Sequence, residues 1–212
     1  MLRTILILAM VVAGCGTPEP DSQSRVAANP SLSEQTSSAA LPTRPAQSGD
    51  HKPEALSATG WGPLRIGMTV RDITASVGAD SDPKAVGGPD PEQCDQFHPV
   101  RTPSGLLVMV ENGRLTRISL TGSAAVKTDR GIGIGEAKAR IVDAYGEAAR
   151  ETPHKYEPAP AAYLTVWQSG GAGENYVDDP KARGIVYELG GDNRVEAIHA
   201  GGPSIQYVEG CA

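Results

Sequence analysis

The sequence predicts an α+β fold in which two tandem repeats, each a short helix plus antiparallel β-strands, pack their helices on an antiparallel sheet. A pattern at residues 62–78 recurs 68 residues later, at 130–146, and internal similarity at a fixed spacing indicates repeated structural units. Alternating apolar stretches, bounded by turn residues, follow each copy and are typical of antiparallel strands. We therefore assign residues 59–126 to a first repeat and 127–212 to a second.

The N-terminus has the pattern of an export signal over residues 1–14. Arg3 precedes an apolar run at 5–13, which is too short to span a bilayer stably. The run ends in Val12-Ala13-Gly14-Cys15 and resembles the bacterial lipobox, in which small residues precede a cysteine that receives acyl chains, palmitate among them. The resemblance implies lipidation of Cys15 and a membrane anchor without a transmembrane helix. The alternative is an ordinary signal-peptide cleavage site next to a cysteine that is not lipidated.

The segment from Cys15 to residue 58 is rich in Pro, Ser, Ala and Thr. Such a composition cannot bury enough apolar surface to fold, so residues 15–58 are predicted to be a disordered tether. In the lipoprotein class, an Asp after the lipidated cysteine tends to mark inner-membrane retention. Gly16 occupies that position instead, which implies sorting of the lipidated protein to the outer membrane. We expect the folded part to lie in the periplasm.

Each copy of the repeat contains the signals of a short helix. In the first copy, apolar residues three and four apart form the predicted buried stripe, which consists of Val70, Ile73 and Val77. Thr69 and Asp72 suit a capping box, in which each side chain bonds the backbone N–H of the other residue. In the second copy Glu136 is expected in the first turn, where the helix dipole favours a negative charge.

A β-hairpin is the clearest strand prediction. Asn112-Gly113 joins the apolar runs 106–111 and 114–120, and Asn-Gly supplies the two positive-φ positions of a two-residue turn. This turn places Glu111 opposite Arg114. The register that follows puts one set of apolar residues on a common face: Leu107, Met109, Ile118 and Leu120.

The second copy has corresponding strand patterns at 163–167, 184–189 and 194–199, and it is twelve residues longer than the first. The surplus lies between Gly146 and Gly184, and we expect a mobile loop at 170–179. Most aromatic residues are expected in the core: Trp61, Phe97, Tyr163, Trp167, Tyr187 and Tyr207. Tyr176 falls in the predicted loop and is the candidate contact residue for a partner, because tyrosine is frequent at binding hot spots.

Three cysteines are present. Lipidation of Cys15 leaves Cys94 and Cys211 in an oxidising compartment, where paired cysteines form disulfides. We predict a bridge between them that closes a loop of more than a hundred residues. Two free thiols or a shared metal ion are the alternatives.

The repeat and the export signal together raise a family resemblance. Leu64-Arg65-Ile66-Gly67-Met68-Thr69, and more loosely Gly135-Glu136-Ala137, resemble the helix entrance of the small outer-membrane lipoprotein domain SmpA/OmlA. The tandem arrangement is similar to that of the β-lactamase inhibitory protein. The resemblance implies a module that binds other proteins, either in outer-membrane assembly and maintenance or as an inhibitor of hydrolases.

Several site classes are not predicted. The net charge of −6 provides no footprint for nucleic acid and favours basic partners. The glycine run 131–135 lacks the parallel strand–helix–strand context of a dinucleotide site. His98, His154 and His199 have no zinc spacing, and His199 is expected to be a partly exposed strand residue. Ser169 lacks the setting of a nucleophile elbow. No catalytic residue, cofactor or metal site is therefore predicted.

Two acidic groups are candidates for calcium sites: Asp178 and Asp179 with Glu174, and Asp90 with Glu92. Neither has the ligand spacing of a known calcium loop, and solvated carboxylates are favoured. The leading expectation is a non-enzymatic envelope lipoprotein that binds another protein. The alternatives are an inhibitor of a secreted hydrolase, such as a β-lactamase or lysozyme, and an enzyme with scattered carboxylates in a deep pocket.

Overall fold

The computed structural model describes residues 54–85, 87–171 and 176–211. The predicted signal peptide, the lipidation site Cys15 and most of the predicted tether lie outside these ranges. Among the residues that are described, no helix combines the length and the apolar character needed to cross a membrane.

The described chain forms nine strands and two α-helices. The first part contains β1 (Gly60–Trp61), β2 (Leu64–Arg65), α1 (Val70–Val77), β3 (Cys94–Phe97), β4 (Leu106–Glu111) and β5 (Arg114–Thr121). The second part contains α2 (Lys138–Tyr145), β6 (Arg150–Pro153), β7 (Ala162–Ser169), β8 (Arg183–Leu189) and β9 (Val195–Gly201). Single 3₁₀ turns lie at Gly146–Ala148 and Pro203–Gln206.

Seven of the strands form one sheet in the order β3-β4-β5-β9-β8-β7-β6. Every neighbouring pair is antiparallel, and β1 and β2 form a separate two-stranded sheet. The predicted α+β class is thereby confirmed. Because β5 pairs with β9, the segments 59–126 and 127–212 share a single sheet.

One face of the sheet, which we call the core face, is covered by both helices and by the β1–β2 hairpin. Ile73 of α1, Ile141 of α2 and Leu64 of β2 are fully buried in the same apolar cluster. The sheet contributes alternate residues to that cluster, as a strand with one buried face should: Val108, Ile118, Leu120, Leu164, Ile185, Tyr187 and Ile198. A single core therefore joins the two halves.

The helix predictions hold in part. Thr69 and Asp72 form the expected capping box, but Val70 is 41% exposed. At about 100° per residue, Val70 projects roughly 60° from Ile73 on the side away from Val77, so this short helix turns it out of the sheet contact.

The second helix differs from its prediction at the N-terminus. α2 has Ala137 as its N-cap and no acidic residue in its first turn. Glu136 precedes the helix, and its Oε1 lies 2.8 Å from Lys127 Nζ. The expected interaction with the helix dipole was therefore wrong, because the helix begins later than the apolar pattern indicates.

The hairpin has the predicted tip, where Glu111 stands opposite Arg114, but its face assignment was wrong. The register shifts by one residue between Met109 and Val110. Such a bulge moves every residue beyond it to the other face. Leu106 and Val108, instead of Leu107 and Met109, consequently share the core face with Leu120 and Ile118.

The fold begins before the predicted end of the tether. Leu56 and Ala58 are fully buried. The Leu56 N–H donates to the Lys127 carbonyl at 2.9 Å, and the Asp129 N–H donates to the Leu56 carbonyl at 2.9 Å. A lone leucine in a polar segment gives no periodic signal, so composition alone could not place this boundary.

The disulfide prediction is confirmed. Cys94 at the start of β3 and Cys211 near the C-terminus are bonded, with an S–S distance of 2.06 Å across a sequence separation of 117. The bridge fastens the chain end to an edge strand of the sheet.

Candidate binding site

The face of the sheet opposite the core, here the open face, is partly covered by the C-terminal segment, residues 203–211. Arg117 of β5 lies beneath this segment and is only 3% exposed. Its guanidinium donates to the carbonyls of Ser204 (3.2 Å) and Tyr207 (2.8 Å) and to Gln96 Oε1 (2.8 Å). The alternation of β5 places Arg117 on this face because its neighbour Ile118 lies on the core face.

Two further ties hold the C-terminal segment in place. Gln206 forms a reciprocal pair with Val177, in which its Oε1 accepts from the Val177 N–H at 3.0 Å and its Nε2 donates to the Val177 carbonyl at 2.8 Å. The Cys94–Cys211 disulfide fixes the end of the segment. The segment is thus attached at three points along its length.

A cavity of about 370 Å³ lies on the open face between β6–β9 and the C-terminal segment. This volume is within the range of small-ligand pockets. Four aromatic side chains line the cavity: Tyr163, Trp167, Tyr176 and Tyr207. Polar side chains of the sheet line it as well: Arg150, Thr152, Thr165, Glu188 and His199.

Glu188 of β8 holds two histidines. His154 Nε2 lies 3.0 Å from Glu188 Oε1, and His199 Nε2 lies 3.5 Å from Oε2. The backbone N–H groups of Tyr156 and Glu157 donate to His154 Nδ1. A nitrogen that accepts hydrogen bonds carries no proton, so these bonds assign His154 as the neutral tautomer protonated on Nε2.

The electrostatics of this group favour a charged carboxylate and a neutral histidine. The hydrogen bond from His199 holds the pKa of Glu188 below its ordinary value, against the opposing effect of burial, and the bond from His154 lowers it further. Burial is the main reason that the pKa of His199 lies below its ordinary value. Both shifts favour a carboxylate at Glu188 beside a neutral imidazole at His199.

Ser119 completes a chain of contacts with His199 and Glu188. Its hydroxyl lies 2.8 Å from His199 Nδ1, which superficially resembles the relay of a serine hydrolase. Ser119 is only 1% exposed, so a substrate cannot reach the hydroxyl in this arrangement. The contact orients the His199 ring.

The structure places some of the expected residues at the cavity and corrects the placement of others. Tyr176, the predicted contact residue, is 58% exposed and lines the cavity. His199 is more buried than expected, with a side chain that is 14% exposed. Trp61, Phe97 and Tyr187 are buried as predicted.

Three of the six predicted core aromatics, Tyr163, Trp167 and Tyr207, line the cavity instead. The signal for two of them was present in the alternation of β7. Its apolar residues Ala162, Leu164 and Val166 are buried, which turns Tyr163 and Trp167 to the opposite face. Glu188 carried no comparable signal, because both of its histidine partners are distant in sequence.

Within the described ranges, no three His, Cys, Asp or Glu side chains converge as metal ligands. The glycine run at 131–135 leads into α2, and the strands of the described sheet are antiparallel throughout. A parallel strand–helix–strand unit that could hold a dinucleotide is therefore lacking in this part of the chain.

Comparison of the chain with family models, with curated proteins and with solved structures found no match.

Proposed function

We propose that this chain is a lipid-anchored envelope protein that binds another protein through the open face of its sheet and catalyses no reaction of its own. The observation that carries this proposal is the aromatic-lined cavity beside the fastened C-terminal segment. Tyrosine and tryptophan are enriched at protein-binding hot spots, and here four such side chains line the same cavity as the carboxylate of Glu188.

The organisation of the site favours binding over catalysis. Glu188 has a lowered pKa, which suits a stable anion and does not suit a general acid poised near neutral pH. The nearest arrangement to a nucleophile, Ser119 with His199, is enclosed. These features support a recognition surface in which the polar groups are already held in position.

The anchor part of the proposal rests on the N-terminal sequence, in which Val12-Ala13-Gly14-Cys15 follows a short apolar run. Its test is metabolic labelling with a palmitate analogue in a bacterial expression host. We expect label on the full chain and none on the Cys15→Ser variant, which should leave the membrane fraction. Label on the variant would contradict this part of the proposal.

The binding part is tested by site-specific photocrosslinking in intact cells. A photoreactive amino acid at position 176 should give a discrete adduct with one envelope protein. The same group at Val142, which is 46% exposed on α2, is the matched control on the opposite side of the sheet. Equal adducts from both positions, or none from position 176, would overturn the proposal.

We further propose that the chain contains two tandem repeats. Equivalent hydrogen bonds at both helix entrances support this. The Gly67 N–H donates to the Leu115 carbonyl at 2.7 Å, and the Gly135 N–H donates to the Val195 carbonyl at 2.8 Å. The guanidinium one residue earlier donates back to the same glycine in each case, from Arg114 to Gly67 and from Arg194 to Gly135.

Strand order supports the same arrangement. The hairpins β4–β5 and β8–β9 meet through their second strands, and β3 flanks β4 as β7 flanks β8. The connection between β7 and β8 spans residues 170–182, whereas that between β3 and β4 spans 98–105. Five of the twelve extra residues of the second copy therefore fall in the segment that carries Tyr176.

A further inference from the structure

We infer that the cavity on the open face receives an arginine side chain of the protein partner, with Glu188 as the acceptor of its guanidinium. This inference rests on the proposed function, because it specifies the chemistry of the residue that the partner inserts.

Glu188 is an anion without a cationic contact among the described residues. His154 is neutral by its hydrogen bonds, and no lysine or arginine nitrogen of the described chain lies within 4.0 Å of the carboxylate. Arg117, on the same face, donates to backbone carbonyls and to Gln96. A partly buried charge of this kind is stabilised by a partner of opposite sign.

The carboxylate also retains acceptor capacity. A carboxylate offers about four lone-pair sites, and the two histidine N–H groups approach one on each oxygen. At least one site on each oxygen is left for a ligand. Two parallel N–H donors are what a guanidinium presents, whereas a lysine ammonium acts as a compact point charge.

The walls of the cavity suit the same group. Trp167, Tyr163 and Tyr207 line it, and guanidinium groups stack on aromatic faces. The cavity, at about 370 Å³, also has room for the apolar stem of an arginine. The excess of acidic over basic residues in the chain favours the approach of a basic partner.

One cationic side chain, Arg150, lines the cavity as well. It stands opposite Thr165 on the edge strand β6, whereas Glu188 stands opposite Tyr163. It therefore belongs to a different register row from the carboxylate, and it is exposed. The ion-pair contacts of Glu188 among the described residues are with His154 and His199.

The test uses N-acetyl-arginine amide as the probe and N-acetyl-citrulline amide, its uncharged isostere, as the control. Binding to the folded chain is followed by NMR through the Trp167 indole N–H and the backbone amides of Glu188 and His199. A ligand of this size is expected to bind with a dissociation constant on the order of millimolar. The citrulline compound should leave these signals unchanged.

Glu188→Gln should weaken binding of the arginine probe by about tenfold or more. Glu196→Gln, which removes an exposed charge of β9 outside the cavity, is the matched control and should bind as the wild type does. Trp167→Leu is the second variant, since it leaves the carboxylate and its histidines intact and should also weaken binding. Equal binding of both probes to the wild type, or unchanged binding to Glu188→Gln, would overturn the inference.

These outcomes are separable from failure of the proposed function. A crosslinked partner at position 176 combined with no response to the arginine probe would leave the binding function standing and refute only the arginine anchor. A response to the probe without any crosslinked partner would leave the arginine-binding cavity standing and refute the proposed binding of an envelope protein.

Discussion

Arg117 shows how one residue organises the open face. Its guanidinium is buried and holds two carbonyls of the C-terminal segment. Burial lowers its pKa to about 10, which still leaves the group charged at neutral pH. The hydrogen bonds that it donates therefore persist over the physiological range.

Arg117→Met should destabilise the fold and loosen the C-terminal segment. Methionine fills much of the same volume but leaves the carbonyls of Ser204 and Tyr207 without their donor, and we expect a loss of about 3 kcal/mol in the free energy of unfolding. Urea denaturation measures this loss. Arg71→Met, on the exposed surface of α1, is the control and should change stability little; equal losses in both variants would contradict the assignment.

His199 gives stability a pH dependence. Its pKa in the folded state lies below the ordinary value of 6.5, so the unfolded chain binds a proton at higher pH than the folded chain does. The contribution of this group is fully present above pH 6.5 and is lost as the pH falls toward the folded pKa. Glu188, whose pKa is also lowered, adds a loss at still lower pH.

The free energy of unfolding should therefore fall between about pH 7 and pH 5. His199→Gln, which cannot titrate, should show a smaller fall, and His98→Gln serves as the control. Urea titrations at a series of pH values give the comparison. A wild-type protein as stable at pH 5 as at pH 7 would be inconsistent with the burial of a neutral His199.

At the scale of elements, the two helix entrances depend on glycines with positive φ. Gly67 has φ +96° and Gly135 has φ +81°, and a Cβ at either position would meet no atom within 4 Å. The constraint is therefore in the backbone and not in packing. The same constraint at equivalent positions is one more feature that the two proposed repeats share.

Gly67→Ala and Gly135→Ala should each lower the free energy of unfolding by about 1 kcal/mol, and by similar amounts. Gly191→Ala is the control, since Gly191 has no positive φ and its nearest neighbour is the Glu157 carboxylate at 4.0 Å. Thermal unfolding of the three variants measures the effects. A large difference between the first two would argue that the helix entrances are not equivalent.

Structural features that depend on residues close in sequence could be predicted, whereas the register between strands could not. The Asn112-Gly113 turn and the Thr69–Asp72 capping box were predictable because each is a contact between residues at most three apart. The bulge at Thr116 of β5 was not, because it depends on the register in which β5 pairs with β4. A shift of one residue there changed which of Leu106 and Leu107 is buried.

At the scale of the whole molecule, the disulfide closes a loop that contains most of the fold. Its sequence separation is 117, and a closure of that length restricts the unfolded chain strongly. The double variant Cys94→Ala with Cys211→Ala should lose about 4 kcal/mol of unfolding free energy.

Chemical denaturation compares this double variant with the oxidised wild type, and reduction of the wild type should reproduce the loss. The Trp167 indole N–H signal should change in both, because the bridge anchors the segment that walls the cavity. An unaltered signal, together with unchanged stability, would show that the C-terminal segment is held without the bridge.

The sequence by itself determined the Asn112-Gly113 turn, the capping box of α1, the α+β class and the pairing of Cys94 with Cys211, because these depend on nearby residues or on counting cysteines. Only the tertiary structure decided that β5 joins β9 and that the C-terminal segment crosses the open face. It also brought His154, Glu188 and His199 together, at separations of 34 and 11 along the chain. Such contacts follow from the order and register of the strands, which no local periodicity encodes.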